Sequence, residues 1–513
     1  MYNFKMEVLN MNYFMLIIVS LCTILLSGCS KGKHMESIND LLKEINTSRV
    51  SSHEVIDDLS RFIYNFNKDE IGLSNEDIDL LTEYDMNSLD EKFNPYRQIT
   101  KVQAIKDVDY LFDFLKYSYA PYTFFGGDQI FNNAKFSTIN TINEINADTL
   151  TAEYFSDILI DNLNFIQDAH FSINGHQLVD KKYYFHNDEL EFLLDPRKGY
   201  YTYIDNIRYY LKDIDNRKKY DDYLKLSINK EGDLIYYLGK VQSLGQTLTL
   251  NVKLFDEDNR EILKTIKLKE AKILDIENDK VFNEKIEGNI PIISLRTMVE
   301  KENNTIFIET PSVINQYPIS IIDIRGNSGG QDTLGIKWFT NFTGESPKKI
   351  CTTATLYSKV NSYITEKYLQ NIDTDYDDEY IKEIIENEKQ KIESNINQWG
   401  ISLGSNTKIK NNNIIFVLVD KRTASSGESF VEFLYNLENI VFVGTNTGGV
   451  TLSDRYVEGR LYSSKINFQF GRVLSIYDEK IHKEGVGFFP DIWVGDNDTL
   501  ERVLLLVNKY TRK

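Results

Sequence analysis

Apolar positions recur along this chain in several rhythms, and each rhythm predicts an element. Ile56, Leu59, Ile63 and Phe66 stand at helical spacing within an otherwise polar stretch from 30 to 97, which predicts a spacer and a small helical region. The run Tyr110-Leu111-Phe112-Asp113-Phe114-Leu115, with Tyr117 and Tyr119 behind it, predicts an amphipathic helix leading into an aromatic stretch that ends at Phe125. Core packing is the plain account of those rings. Phe155, Ile158, Leu159, Leu163 and Ile166 share one face of a helix over about 152–166, and Asp168-Ala-His-Phe-Ser-Ile173 then turns into a strand. Residues 247–255 alternate strictly, and after Asp256-Glu-Asp-Asn259 a second alternating run includes Ile266 and Leu268, so a β-hairpin is expected. From about 290 the rhythm changes to short, strongly apolar strands at 292–295, 305–308, 319–324, 414–419 and 440–443, separated by helical stretches, which predicts an α/β core. Between them Tyr380–Trp399 reads as a charged helix with Ile381, Ile384, Ile385, Ile392 and Ile396 on its apolar side. A solvated surface helix is its plain reading and a lid the bolder one.

Length and charge narrow the function. A chain of 513 residues exceeds what one core fills, and the patterning divides it into four parts. These are a leader over 1–29, a mainly helical region over 30–215, a small β-rich module over 216–285, and an α/β domain over 286–513. The net charge of −19 disfavours nucleic acid as a partner. Of three cysteines, Cys22 and Cys29 lie in the leader and Cys351 stands alone as an expected buried small hydrophobe, so no disulfide framework or thiolate metal site can form. No His-Glu-x-x-His occurs, and neither a metal nor another cofactor is expected. After Lys5 an apolar run from Phe14 to Leu26, too short to span a bilayer, ends in Leu26-Ser27-Gly28-Cys29. That ending resembles the bacterial lipobox. The resemblance implies cleavage before Cys29, lipidation of that residue, and a mature protein held by lipid on the extracytoplasmic face of the cell membrane.

Two strand ends carry the chemistry. Ile321-Ile-Asp-Ile-Arg325 runs into Gly326-Asn-Ser-Gly-Gly330, a glycine-rich loop whose amides can converge on one point. The strand ending at Val419 continues as Asp420-Lys-Arg-Thr-Ala424 and then Ser425-Ser-Gly-Glu428 at the start of a helix, where the dipole favours a developing negative charge. Taken alone, Ser425 or Thr423 could merely cap that helix, with Glu428 completing a capping box.

The order of four segments decides between these readings. Asp323-Ile-Arg-Gly-Asn-Ser-Gly-Gly330, Thr423-Ala-Ser-Ser-Gly-Glu428, Val443-Gly-Thr-Asn-Thr-Gly-Gly449 and Glu484-Gly-Val-Gly-Phe-Phe-Pro-Asp491 together resemble the C-terminal processing (tail-specific) peptidase family, which includes the tricorn core protease. The resemblance implies an α/β, ClpP/crotonase-like peptidase core, a serine nucleophile at Ser425, an oxyanion hole from the amide of Ser426 with Gly329 or Gly330, and peptides or proteins as substrates. The Ser-Lys branch carries its base in a Gly-Lys pair after the Thr-x-Gly motif, and here Val450 stands in that stretch. Resemblance to the tricorn-like branch instead implies His170, in Asp168-Ala-His170, as general base and Glu484 as the carboxylate that orients it. His482 is the competing base, His176 a more distant one, and Asp168 a competing orienter; a hydrogen-bonded core histidine is the plain reading of His170. The β-rich module takes the place where relatives often carry a PDZ domain, and Tyr236-Tyr-Leu-Gly239 loosely resembles a carboxylate-binding loop. Rival readings are an inactive peptide-binding lipoprotein and, less fittingly, an acyl-CoA enzyme sharing the core.

Overall fold

The computed structural model describes residues 38–52, 54–64, 74, 93–220, 222–245, 248–276, 279–299, 305–372, 379–395 and 398–511. The leader with Cys29, together with His34, His53, Phe66 and Ile396, lies outside them. Helix α1 spans Ile38–Ser52. Strand β1 (Gln98–Thr100) leads into α2 (Lys101–Ser118), α3 (Gly127–Glu144), strand β2 (Thr149–Thr151) and α4 (Ala152–Leu163). Thr100 opens α2 with a capping box, its side chain accepting from Gln103 N–H while the Gln103 side chain accepts from Thr100 N–H. The stripes expected around 110 and 152 meet in one core, where Leu111, Phe114, Phe155 and Leu159 pack with Tyr119 and Phe131. Residues 54–64 are not helical. Leu59 is buried there against Ala354 and Leu474, with Ile56 and Ile63 packed beside it, so the spaced apolar residues belong to an irregular segment lying on a sheet.

Strand content begins earlier than expected. After the two-residue strands β3 (Ser172–Ile173) and β4 (His176–Gln177) come β5 (Lys182–Asp195), β6 (Gly199–Ile204), β7 (Ile207–Ile214), β8 (Leu224–Ile228), β9 (Leu234–Ser243), β10 (Leu248–Phe255) and β11 (Glu261–Glu270). They form one sheet of order β11-β10-β7-β6-β5-β9-β8, closed by a β11–β5 pairing into a barrel around Phe192, Leu211, Val252 and Leu254. The region expected to be mainly helical to 215 therefore has its last helix end at Leu163, and the β module reaches back to Lys182. Tyrosines and charges crowd β5 to β7 and hide the alternation. The predicted hairpin is β10–β11, with Phe255 opposite Glu261. Among the described residues no helix lies within 182–270 to border a peptide groove. Tyr236-Tyr-Leu-Gly239 sits in the middle of β9, its residues paired with Leu226, Lys225 and Leu224, so its amides are not free to hold a carboxylate.

The α/β core follows. Strand β12 (Phe282–Glu287) pairs antiparallel with β13 (Ile290–Leu295), and beyond the short helix α5 (Pro311–Ile314) β14 (Ile319–Asp323) lies parallel to β13. Helix α6 (Asp332–Thr343), β15 (Thr352–Tyr357), α7 (Lys359–Ile372), α8 (Glu379–Asn395) and β16 (Gln398–Ser402) precede β17 (Ile414–Val419). Helix α9 (Ser426–Tyr435) crosses to β18 (Ile440–Gly444). The chain ends with β19 (Ser453–Arg460), β20 (Asn467–Ile476), the paired β21 (His482–Lys483) and β22 (Gly487–Phe488), β23 (Ile492–Trp493) and α10 (Thr499–Thr511). The main sheet runs β12-β13-β14-β17-β18-β23, parallel from β13 onward. Strands β13, β14, β17 and β18 are buried on both faces, as their largely apolar runs demand, whereas the edge strand β12 is mostly exposed. Ile415, Val417 and Phe442 face α6 and α9, whereas Phe416, Leu418, Val441 and Val443 face α1 and α10. A second sheet, β16-β15-β20-β3-β4 with β19 beside β20, lies across the first domain's core.

Two predicted elements differ. Residues Thr305–Glu309 form a 3₁₀ turn in which Phe307 is buried beneath Trp338 and Phe430 while Ile306 is exposed, because β14 already fills the place beside β13. The helix expected over 380–399 stops at Asn395, and Trp399 belongs to the edge strand β16. Ile392 is buried against Tyr357 and Leu369; the side chains of Ile381, Ile384 and Ile385 lie outside what is described.

Helix α1 buries Leu41, 1% exposed, in the core behind the sheet. Leu41→Ala should lower the unfolding free energy in denaturant by about 2–4 kcal/mol. A change near zero would show that α1 is a detachable tether and not part of the core.

Candidate active site

Strands β14, β17 and β18 are parallel neighbours, so the loops after them leave one edge of the sheet side by side. The first is the glycine-rich loop 326–330, the second carries Ser425, and the third is Thr445–Val450. Asp323 fixes the start of the first loop. Burial would raise its carboxyl, but Arg325 and Arg296, which bond both its oxygens, hold it well below the usual carboxylate range.

Ser425 is not a helix cap. Its side chain makes no capping bond, and its backbone takes φ 52 and ψ −123, the first central position of a type II′ turn closed by Gly427 N–H on Ala424 O at 2.9 Å. A residue with a Cβ is held there at a cost of about 1–3 kcal/mol, a strain typical of functional positions. The turn aims Ser425 Oγ at His170 Nε2, 3.3 Å away. Gly329 lies against this turn so closely that a Cβ on it would stand 2.9 Å from Ser425 Cβ, and at Gly330 a Cβ would stand 2.2 Å from Val299 N. Asn327 draws the loop in, its carbonyl accepting from Ala424 N–H at 3.0 Å and its Oδ1 from Gly329 N–H at 3.1 Å. The amide of Gly329 is therefore engaged. Among the described residues the amides of Gly330 and Ser426 donate to no protein group, which leaves those two to face an oxyanion.

Buried charges hold the surrounding main chain. Lys421, four residues before Ser425, does not point at it; Nζ donates to the carbonyls of Thr447, Gly448 and Gly485 at 3.0, 2.9 and 2.9 Å, and burial lowers its pKa to about 8. Glu428 accepts from Thr447 Oγ1 at 2.5 Å and from the amides of Gly449 and Val450, so it forms no capping box with Ser425. His482 does not reach Ser425 either. Its ring lies between Tyr477 and Phe488 with Nε2 3.4 Å from Glu428, and against the push of burial this pairing lowers the Glu428 carboxyl. The expected competing base is thus a structural partner of Glu428.

His170 arrives from the second sheet, on the turn before β3, where Ser172 and Ile173 pair with Gln469 and Phe468 of β20. Glu484 does not bond its ring as expected. It accepts from the amides of Ala169, Thr451 and Leu452 at 2.9, 3.0 and 2.8 Å, and burial followed by the charge of Asp168 pushes its carboxyl well up. Nor does Asp168 bond the ring; its Oδ1 accepts from the main-chain amide of His170 at 2.9 Å. His176 is exposed on β4, and His186 is buried on the outer side of β5, stacked on Tyr184 and packed against Gly495. Cys351 is buried, as expected. Three contributors have no local signal in the sequence: Asn327, the clamp lysine Lys421, and Tyr119, whose hydroxyl donates to Asp168 Oδ2 at 2.8 Å. Among the described residues no cluster of His, Cys, Asp and Glu could hold a metal ion.

Residues 289–494 match the family described as Peptidase family S41. No curated protein matches the chain. Among solved structures it is similar to mature CPAF, at 13% identity and a TM-score of 0.42 over 80% of this chain and 96% of that one. It is similar also to the photosystem II D1 C-terminal processing protease, at 12% identity and 0.36 over 79% and 96%. The tricorn protease is similar at 13% identity and 0.33, over 78% of this chain and 35% of that one.

Because the Ser425 turn needs positive φ, glycine should suit the backbone there better than alanine. Ser425→Gly should be more stable than Ser425→Ala by about 1 kcal/mol in urea unfolding. Equal stabilities would remove the strain from the account.

Proposed function

We propose that this protein is a serine endopeptidase that cleaves peptides or proteins through an acyl-enzyme, held by lipid on Cys29 at the extracytoplasmic face of the membrane. The observation that carries the reading is the Ser425 Oγ to His170 Nε2 approach of 3.3 Å, made by a strained turn beside a glycine loop with unengaged amides. A serine hydroxyl is a weak nucleophile until a base takes its proton, and an approach of this length without substrate tightens when the reacting carbonyl is bound.

In this reading His170 Nε2 accepts the Ser425 proton as Oγ attacks the scissile carbonyl. The oxyanion settles between the amides of Gly330 and Ser426, with the N-terminus of α9 behind Ser426 adding its dipole. His170 then passes the proton to the leaving amine. Water attacks the acyl-enzyme by the same route in reverse, releasing the second product and free Ser425. Lys421 takes no part, since its ammonium is occupied by the carbonyls of Thr447, Gly448, Gly485 and Val486. The match of residues 289–494 to Peptidase family S41 supports the peptidase reading, and the lipobox-like Leu26-Ser27-Gly28-Cys29 supports the anchor.

A fluorophosphonate probe should label the wild type at Ser425 and leave Ser425→Ala unlabelled, with His170→Ala slowed by about 10²–10⁴-fold. His482→Gln should label within a few-fold of wild type. Equal labelling of wild type and Ser425→Ala would overturn the nucleophile, and no labelling of either would favour a peptide-binding protein without catalysis. For the anchor, the protein expressed in a bacterium should fractionate with membranes and incorporate a fatty acid. Cys29→Ser should abolish the incorporation; a fatty-acid signal that survives it would refute lipidation at that residue.

A further inference from the structure

If Ser425 and His170 act as proposed above, something must hold the imidazole. Among the described residues His170 Nδ1, although buried, makes no hydrogen bond, so no third side chain steers the ring. The main chain that carries it is held throughout. His170 N–H donates to Asp168 Oδ1 and Ala169 N–H to Glu484 Oε1, both at 2.9 Å. The carbonyls of Ala169 and His170 accept from Gln177 Nε2 and Gln469 Nε2 at 2.7 and 3.2 Å, and Phe171 N–H donates to the Asp168 carbonyl at 3.1 Å.

Asp168 is fully buried and makes no ion pair with a described residue, so its carboxylate depends on hydrogen bonds. One of these comes from Tyr119. The tyrosine ring is wedged among Phe125, Phe171 and Phe470, at centroid distances of 6.3, 5.7 and 5.8 Å, which leaves its hydroxyl only the direction of Asp168. Burial, then the charge of Asp168, pushes the Tyr119 hydroxyl well up, so it remains a donor at all working pH values. The carboxylates around the histidine are Asp168, Glu484 and Asp454, whose carboxyl Lys349 and then His170 help to lower against burial.

We infer that Tyr119 and Asp168 are positioning residues for the general base: the phenol fixes the carboxylate, the carboxylate fixes the His170 amide, and its negative charge stabilises the imidazolium from the main-chain side. An Asp168 that merely closes a turn would account for the amide bond. It would not make catalysis depend on a phenol at position 119.

The test is the pH profile of fluorophosphonate labelling at Ser425 in the full chain, for wild type, Tyr119→Phe, Asp168→Asn and the double variant. Asp168→Asn should slow the plateau rate by about 10–100-fold and move the acid-limb midpoint to lower pH, because the anion favouring the imidazolium is gone. Tyr119→Phe should slow the plateau by about 3–10-fold, and the double variant should be no slower than Asp168→Asn, as linked residues require. Both single variants at the wild-type plateau and midpoint, even with lowered unfolding temperatures, would overturn the inference, as would effects that multiply in the double variant. A wild type that is not labelled at Ser425 would instead remove the peptidase reading beneath it, and this inference with it.

Discussion

Loops that converge at the end of a parallel sheet turn their peptide groups toward one another and away from any ladder, and each buried amide or carbonyl left unmade costs about 1–3 kcal/mol. In this protein buried ionisable side chains meet that demand. Lys421 gathers carbonyls from the loops at 447–448 and 485, Glu428 gathers amides at 449–450, and Asp420 gathers those of Gly326 and Arg422. Glu484 ties Ala169 to Thr451 and Leu452. Such charges stabilise little in net terms, since desolvation offsets most of the Coulomb gain. What they supply is geometry, because each has several partners on different loops and only one arrangement satisfies them all.

This explains which parts of the site were legible in the sequence. Four core strands, β13, β14, β17 and β18, were readable because a strand buried on both faces must be largely apolar, and Thr305–Glu309 was misread for the same reason, since a 3₁₀ turn under an aromatic cluster gives the same composition. Ser425 was singled out by the order of four segments spread over 323–491, since its local neighbours alone fit a helix cap as well. His170 was reached by likeness of motif and not by physics, since nothing in Asp168-Ala-His170 announces that β3 will pair with residues near 469. The acidic residues were named but their partners were not: Glu484 and Asp168 were expected on an imidazole ring and bind amides instead. A carboxylate's type is visible in a sequence, whereas the direction from which it is approached is set by registers that only tertiary structure fixes. The β module was misjudged in extent because tyrosines serve both as core and as surface in β5 to β7, with Tyr210 buried and Tyr203 half exposed.

The site is divided between two bodies of structure. The parallel sheet holds the serine, the glycine loop and the helix N-terminus, while the second sheet and the helical core behind it hold the histidine. At the site the two meet through the Ser425–His170 approach and through Glu484, which bonds the turn of one and the loop of the other, while away from it Glu432 of α9 binds Tyr477 and the amides of Ile350 and Cys351. A shift between these bodies would change the distance between Ser425 and His170.

The pairing of β3 with β20 also orders events in time. His170 leaves the ribosome long before Ser425, yet its place is made by Phe468 and Gln469, and the tie through Glu484 comes later still. Closing contacts across such separations is slow compared with forming a local turn. The nascent chain therefore carries a complete histidine turn sequence, and later a complete serine turn, without an assembled pair. Until the segments around 468 and 484 are in place, nothing holds Ser425 and His170 together.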